Sequence, residues 1–245
     1  MLFTDPLIID LAAVLAPPSA VHWLGADDLG RDVLARVVAG VGASLTVGFG
    51  VLLLTALVGI PLGLAAGWWG GWVERVAGKV SEVVLSFPGL LLALALTALL
   101  GPSLLNVVVA LGLLGWVGFY RLTRVQVQRL RGLAFVRAAE LAGVGTVRIW
   151  LRHILPNCAG PLQVEALLMV AGAMVAEAGL SFLGLGIPAP YPSLGGMLRD
   201  GMRFMLVAPW LVVIPAVVLI GLTVLVNLAA KVLRQRWDNA MQGGR

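Results

Sequence analysis

The sequence predicts an all-α integral membrane protein with about five transmembrane helices, and two observations support that prediction. The 245 residues are 60% hydrophobic and only 12% charged, with a mean hydropathy of +1.00. A soluble domain has about twice that charged fraction. The charged residues also gather between long apolar segments, most of which approach the roughly 20 residues that a helix needs to cross a bilayer.

The apolar segments divide the chain into a polar N-terminal part, residues 1–32, and a transmembrane domain, residues 33–245. In the N-terminal part, the apolar run Leu7–Leu15 is interrupted by Asp10 and is too short to span a bilayer. Five segments of the transmembrane domain are predicted to span, with boundaries near Val41–Ala66, Val83–Leu100, Leu104–Tyr120, Ala159–Leu180 and Ala208–Ala230.

Small residues and tryptophans refine the first of these spans. Small residues let membrane helices approach closely, and the loop Gly67–Glu82 after the span carries tryptophans suited to the membrane interface. The predicted packing positions are Gly40, Ala43, Gly48 and Gly59. The predicted interface residues are Trp68, Trp69 and Trp72.

Basic residues determine the predicted orientation. Three segments together hold thirteen of the seventeen Lys and Arg residues. They are Gly67–Glu82, Arg121–Asn157 and the C-terminal tail. Because cytoplasmic segments of membrane proteins are enriched in Lys and Arg, these three segments are predicted to be cytoplasmic. Five spans then place residues 1–32 outside, together with the Gly- and Pro-rich segment 181–207, which is predicted to be an ordered outer-side loop.

Within the long basic segment, residues 137–157 predict a helix, a turn and a second helix. Apolar residues recur at helical spacing on both sides of Gly143 and Gly145, and glycine tolerates the backbone angles at which helices end. Thr146 is predicted to cap the second helix and Pro156 to end it. Such a hairpin is shaped to dock into a groove of a soluble partner, and a basic loop kept inside by its charge is the alternative.

A second polar string, HWLGADDLGRD at residues 22–32, precedes the first span. Asp27, Asp28 and Gly30 predict a turn, and Asp32 stands where the following helix favours an acidic first turn. Contact with a ligand is the alternative.

Three strings together resemble one family. Residues 137–157, RAAELAGVGTVRIWLRHILPN, resemble the loop that seats the cytoplasmic ATPase in ABC importer permeases, with Ala138, Ala139 and Gly143 at its core. HWLGADDLGRD, and SFLGLG followed by GGMLRDG within residues 181–201, are similar to strings of the dipeptide, oligopeptide and nickel branch of these permeases. Arg137 stands where the loop usually has glutamate, and Glu140 follows three residues later.

The resemblance implies the permease subunit of an ATP-driven importer in a bacterial inner membrane. It implies peptides as the substrate, with nickel or a metal chelate as the alternative. The implied partners are a second permease subunit forming a heterodimer, two cytoplasmic ATPase subunits, an extracytoplasmic binding protein and membrane lipid, without nucleic acid. ATP and Mg²⁺ are expected at the ATPases, so this chain is expected to be no enzyme and to bind no cofactor or metal itself. Six spans are usual in this branch, so the sequence is expected to lack the first helix, and its C-terminus is expected to be cytoplasmic.

The resemblance also indicates which residues couple the loop to ATPase movement. They are Arg137, Ala138, Ala139, Glu140, Gly143, His153 and Pro156. A bulky charged residue at Gly143 is expected to block the turn and uncouple transport. Among the carboxylates within the fourth predicted span, Glu165 can reach the cytoplasmic interface. Glu177 is the candidate for lining the pathway, and a bond to a neighbouring helix is its alternative.

Two other classes of protein fit the sequence less well. A stand-alone secondary transporter is expected to carry paired ions within its spans and repeated broken helices, and the sequence shows two separate glutamates and no internal repeat. An intramembrane enzyme needs a catalytic constellation within a span, whereas His22 and His153 both lie outside the predicted spans.

Overall fold

A computed structural model shows a chain built of helices. It describes residues 5–243, with the backbone alone for residues 238 and 240–243, and none of these residues forms a β-strand. Four helices are long and apolar enough to cross a membrane, and a fifth crossing is present if one bent pair of helices is counted as a span. The predicted all-α membrane fold with about five spans is therefore confirmed.

The helices fall into a long and a short class. The long apolar helices are α1 (Val33–Trp69), α4 (Leu104–Arg131), α7 (Leu155–Phe182) and α9 (Trp210–Gly243). The shorter helices are α2 (Gly71–Ser86), α3 (Gly89–Leu100), α5 (Ala134–Leu141), α6 (Thr146–Ile149) and α8 (Leu194–Gly201). A π-helical turn, Trp150–Ile154, joins α6 to α7, so the helical backbone is continuous from Thr146 to Phe182.

The long helices extend beyond the predicted spans. The α4 helix continues past Tyr120 to Arg131, and α9 continues past Ala230 to Gly243. The predicted boundaries mark the ends of the apolar segments, and the helices continue into the basic stretches that follow. Hydropathy indicates where a segment leaves the apolar layer, but Arg, Lys and Gln are themselves good helix formers and carry the helix further.

The region between α1 and α4 also differs from the prediction. Residues 67–82 are not a loop, because α1 runs to Trp69 and α2 begins at Gly71. The predicted span Val83–Leu100 is not one helix, because α2 and α3 meet at an angle of 87°. Proline disfavours the helical conformation in the residue before it, and Phe87, which precedes Pro88, is extended at φ −98° and ψ 141°.

Contacts divide the chain into two compact units. The first contains the chain up to Gly50 together with Leu92–Leu111 and Val170–Leu225. The second contains Val51–Leu91, Gly112–Met169 and the chain from Val226. The four long helices each pass from one unit into the other, so both units contain parts of the same helices.

In the first unit, the N-terminal string folds against the start of α1. Asp27 accepts hydrogen bonds from the backbone N–H groups of Leu29 and Arg31, both at 2.9 Å. Asp32 accepts one from the Ala35 N–H at 2.8 Å, and its other oxygen lies 2.9 Å from Nδ1 of His22. The predicted turn and helix cap are both present, and the core beside them joins α1, α8 and the start of α9 through buried Val33, Val37, Leu194, Met197, Ala208 and Leu211.

In the second unit, three glycines spaced by four residues let α1 lie directly against α4. They are Gly59, Gly63 and Gly67, and a Cβ at these positions would lie 2.5, 2.7 and 2.8 Å from carbonyl oxygens of α4. Those distances leave no room for a side chain. Small residues at this spacing are how membrane helices pack at close range. The predicted packing position Gly59 therefore belongs to a longer glycine row.

Candidate functional site

The predicted helix–turn–helix is present in the second unit as α5, a tight turn and α6, and residues 134–154 are called the hairpin from here on. Gly143 has a φ of +73°, which only glycine adopts without strain. The Val144 N–H donates to the Ala139 carbonyl at 3.1 Å, and the Gly143 N–H donates to the Glu140 carbonyl at 3.0 Å. This pair of bonds is a Schellman motif, which satisfies the carbonyls that end α5.

Two details of the hairpin differ from the prediction. Thr146 does not cap the second helix, because it is the first helical residue and Gly145 occupies the cap position without a side-chain bond. Pro156 does not end that helix, because α7 continues through it to Phe182. Proline lacks the N–H that would donate to a carbonyl four residues back. A π-helical turn lies directly before Pro156, in which the Leu155 N–H donates to the Trp150 carbonyl. This wider turn accommodates the missing hydrogen bond.

The inner side of the hairpin is held by an apolar core. Val136, Ile149 and Ile154 have exposed fractions of 0%, 1% and 0%. They pack in one cluster with the ends of α1 and α4 and the start of α7, through Leu64, Trp68, Val127, Leu130 and Cys158. Because α1 and α4 share this core with the hairpin, the hairpin is fixed to the helices that carry the glycine row.

The outer side of the hairpin is apolar and uncovered. Leu141 is 90% exposed, and Val147 and Leu151 are each 62% exposed. Arg137 and Ala138 are exposed on the same segment. Large apolar side chains left open to this extent indicate a surface for another protein or for lipid.

A junction centred on Arg131 links the hairpin to two long helices. Arg131, the last residue of α4, donates through Nη1 to the backbone carbonyl of Trp68 near the end of α1. Its guanidinium also lies 5.1 Å from the centroid of the Trp68 ring, and Nε is 3.9 Å from Oε1 of Glu140 in α5. One side chain thus touches the ends of α1, α4 and α5, a role that hydropathy and spacing did not indicate.

The other predicted coupling residues lie in or beside the hairpin. Ala139 is partly buried against the apolar core. His153 has its ring 6.3 Å from that of Phe135, and its carbonyl accepts a hydrogen bond from Nδ2 of Asn157 at 2.7 Å. Pro156 is exposed just after the hairpin. The structure therefore brings Arg137, Ala138, Ala139, Glu140, Gly143 and His153 together on one hairpin, with Pro156 adjoining it.

The two carboxylates of α7 have different surroundings. Glu177, in the first unit, is fully buried and accepts hydrogen bonds from the hydroxyls of Ser44 at 3.0 Å and Ser181 at 2.7 Å. Glu165, in the second unit, is partly buried and has no hydrogen-bond or ion-pair partner among the side chains that the structure describes. It lies close to Gly118, where a Cβ would be 2.4 Å from Oε1.

The fold and the hairpin define a class of protein, a multi-pass membrane protein with an exposed apolar face on a helical hairpin. The chain belongs to the family of binding-protein-dependent transport system inner membrane components, whose pattern matches residues 59–239. That match includes the hairpin and the glycine row. The chain is therefore a transmembrane permease of an ABC transport system, as the three strings predicted.

Several curated relatives are similar over nearly the whole chain. The chain is 40% identical to a dipeptide transport system permease, DppC, of Alkalihalophilus pseudofirmus, over 93% of this chain and 75% of the relative. It is 35% identical to the dipeptide permease of Haemophilus influenzae, over 96% of this chain and 81% of the relative. A glutathione transport system permease of Pectobacterium atrosepticum is also 35% identical, over 90% and 73%.

A solved structure supports the fold independently. The chain matches a structure of the MetNI methionine ABC transporter in an inward-facing conformation with a TM-score of 0.62. The match covers 82% of this chain and 95% of that one at 18% sequence identity. At this identity the likeness concerns the arrangement of the helices.

Proposed function

We propose that this chain forms part of the pathway by which an ATP-driven importer carries small peptides across a bacterial inner membrane. The open apolar outer side of the hairpin, with Leu141 90% exposed, is the observation on which the proposal rests. Such a surface fits a groove on a soluble subunit, where an amphipathic helix binds through its apolar face. The relatives named for dipeptide transport support peptides as the substrate.

The proposed assembly contains two of these permeases, this chain and a second, different subunit. Two cytoplasmic ATPase subunits bind ATP and Mg²⁺ and carry out hydrolysis, while this chain carries out none. An extracytoplasmic binding protein delivers the peptide. In this assembly the hairpin and the C-terminus face the cytoplasm, an orientation supported by the excess of Lys and Arg in those segments.

The hairpin transmits the movement of the ATPases in two steps. Its outer residues, including Arg137 and Ala138, dock on the ATPase, and Gly143 provides the turn that presents them. Its inner residues pull on the ends of α1 and α4 through the apolar core and the Arg131 junction. Because interdigitated side chains are close-packed, a shift of the hairpin is passed to those helices rather than absorbed. ATP-driven closure of the ATPases thereby switches the pathway between inward and outward access.

Reconstitution tests the transport function. The complete complex is placed in proteoliposomes with its binding protein, and uptake of a labelled dipeptide is compared with uptake of radioactive nickel. ATP-dependent dipeptide uptake is expected, and it should stop when the ATPase active sites are inactivated. Uptake of nickel instead of peptide would assign the chain to the metal-transporting side of its branch. Uptake of either solute without any ATPase would overturn the proposal.

Glu177 is the predicted pathway residue, and its surroundings suggest how to test that role. In Glu177→Gln the amide oxygen can accept a hydrogen bond from one of the two serine hydroxyls, and the amide NH2 can donate to the other, so the variant preserves the packing while removing the carboxylate. If the carboxylate faces the substrate during transport, the variant reaches wild-type protein levels but has a lower rate of uptake. Wild-type uptake by Glu177→Gln would leave Glu177 with a packing role alone.

A further inference from the structure

Two strings that the transport function leaves unexplained meet around one pocket. The turn from HWLGADDLGRD and the segment 187–203 enclose a polar cavity of about 300 Å³ within the first unit. Its charged lining consists of Asp28, Arg31, Arg36, Arg199, Asp200 and Arg203. We call this cavity the arginine pocket. Four guanidinium groups and two carboxylates give it an excess of positive charge.

The inner wall of the arginine pocket is fixed by ion pairs. Nε of Arg31 lies 2.7 Å, and Nε of Arg36 3.2 Å, from the same Oδ2 atom of Asp27. The side chains of Arg31 and Arg36 are only 10% and 7% exposed. These two cations are therefore held in place before anything enters the pocket.

The mouth of the arginine pocket carries cations that are free to change partner. Nη2 of Arg199 lies 3.1 Å from Oδ1 of the adjacent Asp200, and both side chains are more than 40% exposed. Arg203 is exposed and forms no ion pair with any side chain that the structure describes. Arginine binds carboxylates through two parallel N–H donors, so this mouth fits a carboxylate, and a phosphate is the other group that suits the same donors.

The residues around the mouth indicate that the carboxylate belongs to a protein. Tyr191, which also lines the pocket, is 64% exposed, and Met202, beside Arg203 in the chain, is 50% exposed. Tyrosine, methionine and arginine are the residues enriched in protein interfaces. Residues 1–32 and 181–207 are also the two segments predicted to face outward, on the side of the binding protein.

We propose that the arginine pocket receives an acidic side chain of the extracytoplasmic binding protein when that protein docks. The proposal rests on the proposed function for the orientation of the chain and for the existence of that partner. Arg199 and Arg203 form the contact, and Arg31 and Arg36, which are already paired with Asp27, form the fixed wall behind it. Asp200 competes with the incoming carboxylate for Arg199.

Binding measurements on the whole complex in nanodiscs test the proposal. The affinity of the co-encoded binding protein is measured at several salt concentrations for wild type and for the double variant Arg199→Ala, Arg203→Ala. Loss of two partly exposed ion pairs should weaken binding about three- to tenfold at low salt and make it less sensitive to salt. Asp200→Asn should strengthen binding, and Arg129→Ala, an exposed arginine of α4, should leave it unchanged.

A cross-linking experiment identifies the partner directly. Lys79 and Lys231 are the two lysines of the sequence, and neither lines the pocket. Arg203→Lys therefore places a single new amine at the mouth, which a carbodiimide can couple to a carboxylate in contact with it. A cross-link to an Asp or Glu of the binding protein is expected.

Three results would overturn the proposal. They are an unchanged affinity in the double variant, a cross-link to the second permease subunit, and a raised KM for peptide without any change in binding-protein affinity. The last result would assign the pocket to the carboxylate of the substrate. Failure of the proposed function is distinguishable, because it would appear in the wild-type complex as absent ATP-dependent peptide uptake while docking could still be measured.

Discussion

The hairpin and the arginine pocket are both polar regions, but they are assembled in different ways. The hairpin comes from one continuous stretch, and each residue contacts the core or remains exposed according to its position on a short helix. The pocket comes from two strings far apart in the chain, which the apolar core around Leu194 brings together. Local pattern thus determines the hairpin, whereas only the folded chain creates the pocket.

This difference predicts how substitutions in each region affect folding and binding. The hairpin is joined to the protein through apolar burial on its inner side and leaves its outer side free, so the two sides should respond differently to the same substitution. The pocket depends on buried charges at its inner wall, so removal of exposed charges should change binding without affecting folding.

The largest expected effect separates the two sides of the hairpin. Val136→Asp buries a charge at a position with 0% exposure, which should cost about 3–5 kcal/mol and prevent a folded complex. Leu141→Asp changes a side chain that is 90% exposed and should leave folding intact while abolishing ATPase binding. Size-exclusion chromatography and co-purification of the ATPase measure the two effects. Equal folded yields for both variants would contradict the division into inner and outer sides.

The next effect concerns the turn of the hairpin. A Cβ at Gly143 meets nothing within 4 Å, so the expected block of the turn does not come from a clash at the Cβ. The cost is instead the positive φ, which is about 1–2 kcal/mol for an ordinary residue and lower for Asn. Gly143→Val should therefore weaken ATPase binding about five- to thirtyfold, as measured by titration of the ATPase onto the permease.

Gly143→Asn is the matched variant for that titration. It should bind the ATPase more tightly than Gly143→Val, because asparagine tolerates the left-handed conformation. Equal losses in the two variants would mean that space on the partner, rather than the backbone of the turn, is limiting.

A smaller effect is expected at the Arg131 junction. Arg131→Ala removes a hydrogen bond, a cation–π contact and a long ion pair, each worth about 1 kcal/mol or less in a half-exposed position. ATP hydrolysis should continue, but the amount of peptide transported per ATP should fall about fivefold. Arg129→Ala, on the same helix with an exposed side chain, is the control. If both variants transport equally well, the apolar core alone carries the coupling.

The smallest effect is expected at the start of α1, beside the arginine pocket. Asp32→Ala removes the side-chain cap of α1 and should lower the free energy of unfolding by about 1 kcal/mol. Asp32→Asn keeps a capping oxygen and should retain most of that stability. Thermal unfolding in detergent compares the two variants with wild type. A larger loss in the asparagine variant would show that the charge facing His22, rather than the cap, stabilises this end of the helix.

The sequence by itself determined the class of the fold, the approximate spans and the hairpin. Long apolar segments and clustered basic residues leave few alternatives to a bundle of membrane helices, because uncovered backbone groups cannot remain in lipid. Gly143 placed the turn, and the spacing around Asp27 and Asp32 placed the turn and cap before α1. Each of these features depends on residues within a few positions of one another.

The tertiary structure alone decided the features that depend on distant contacts. Pro88 breaks the second predicted span, yet Pro156 and Pro161 lie within a continuous helical stretch. Hydropathy and proline content therefore could not tell a proline that breaks a helix from one that a helix accommodates. Packing made Val136 the buried residue of α5 and left Leu141 exposed, although both are apolar. The Arg131 junction and the arginine pocket likewise depend on which helix ends and loops come together, because contacts between distant residues leave no periodic signal in the sequence.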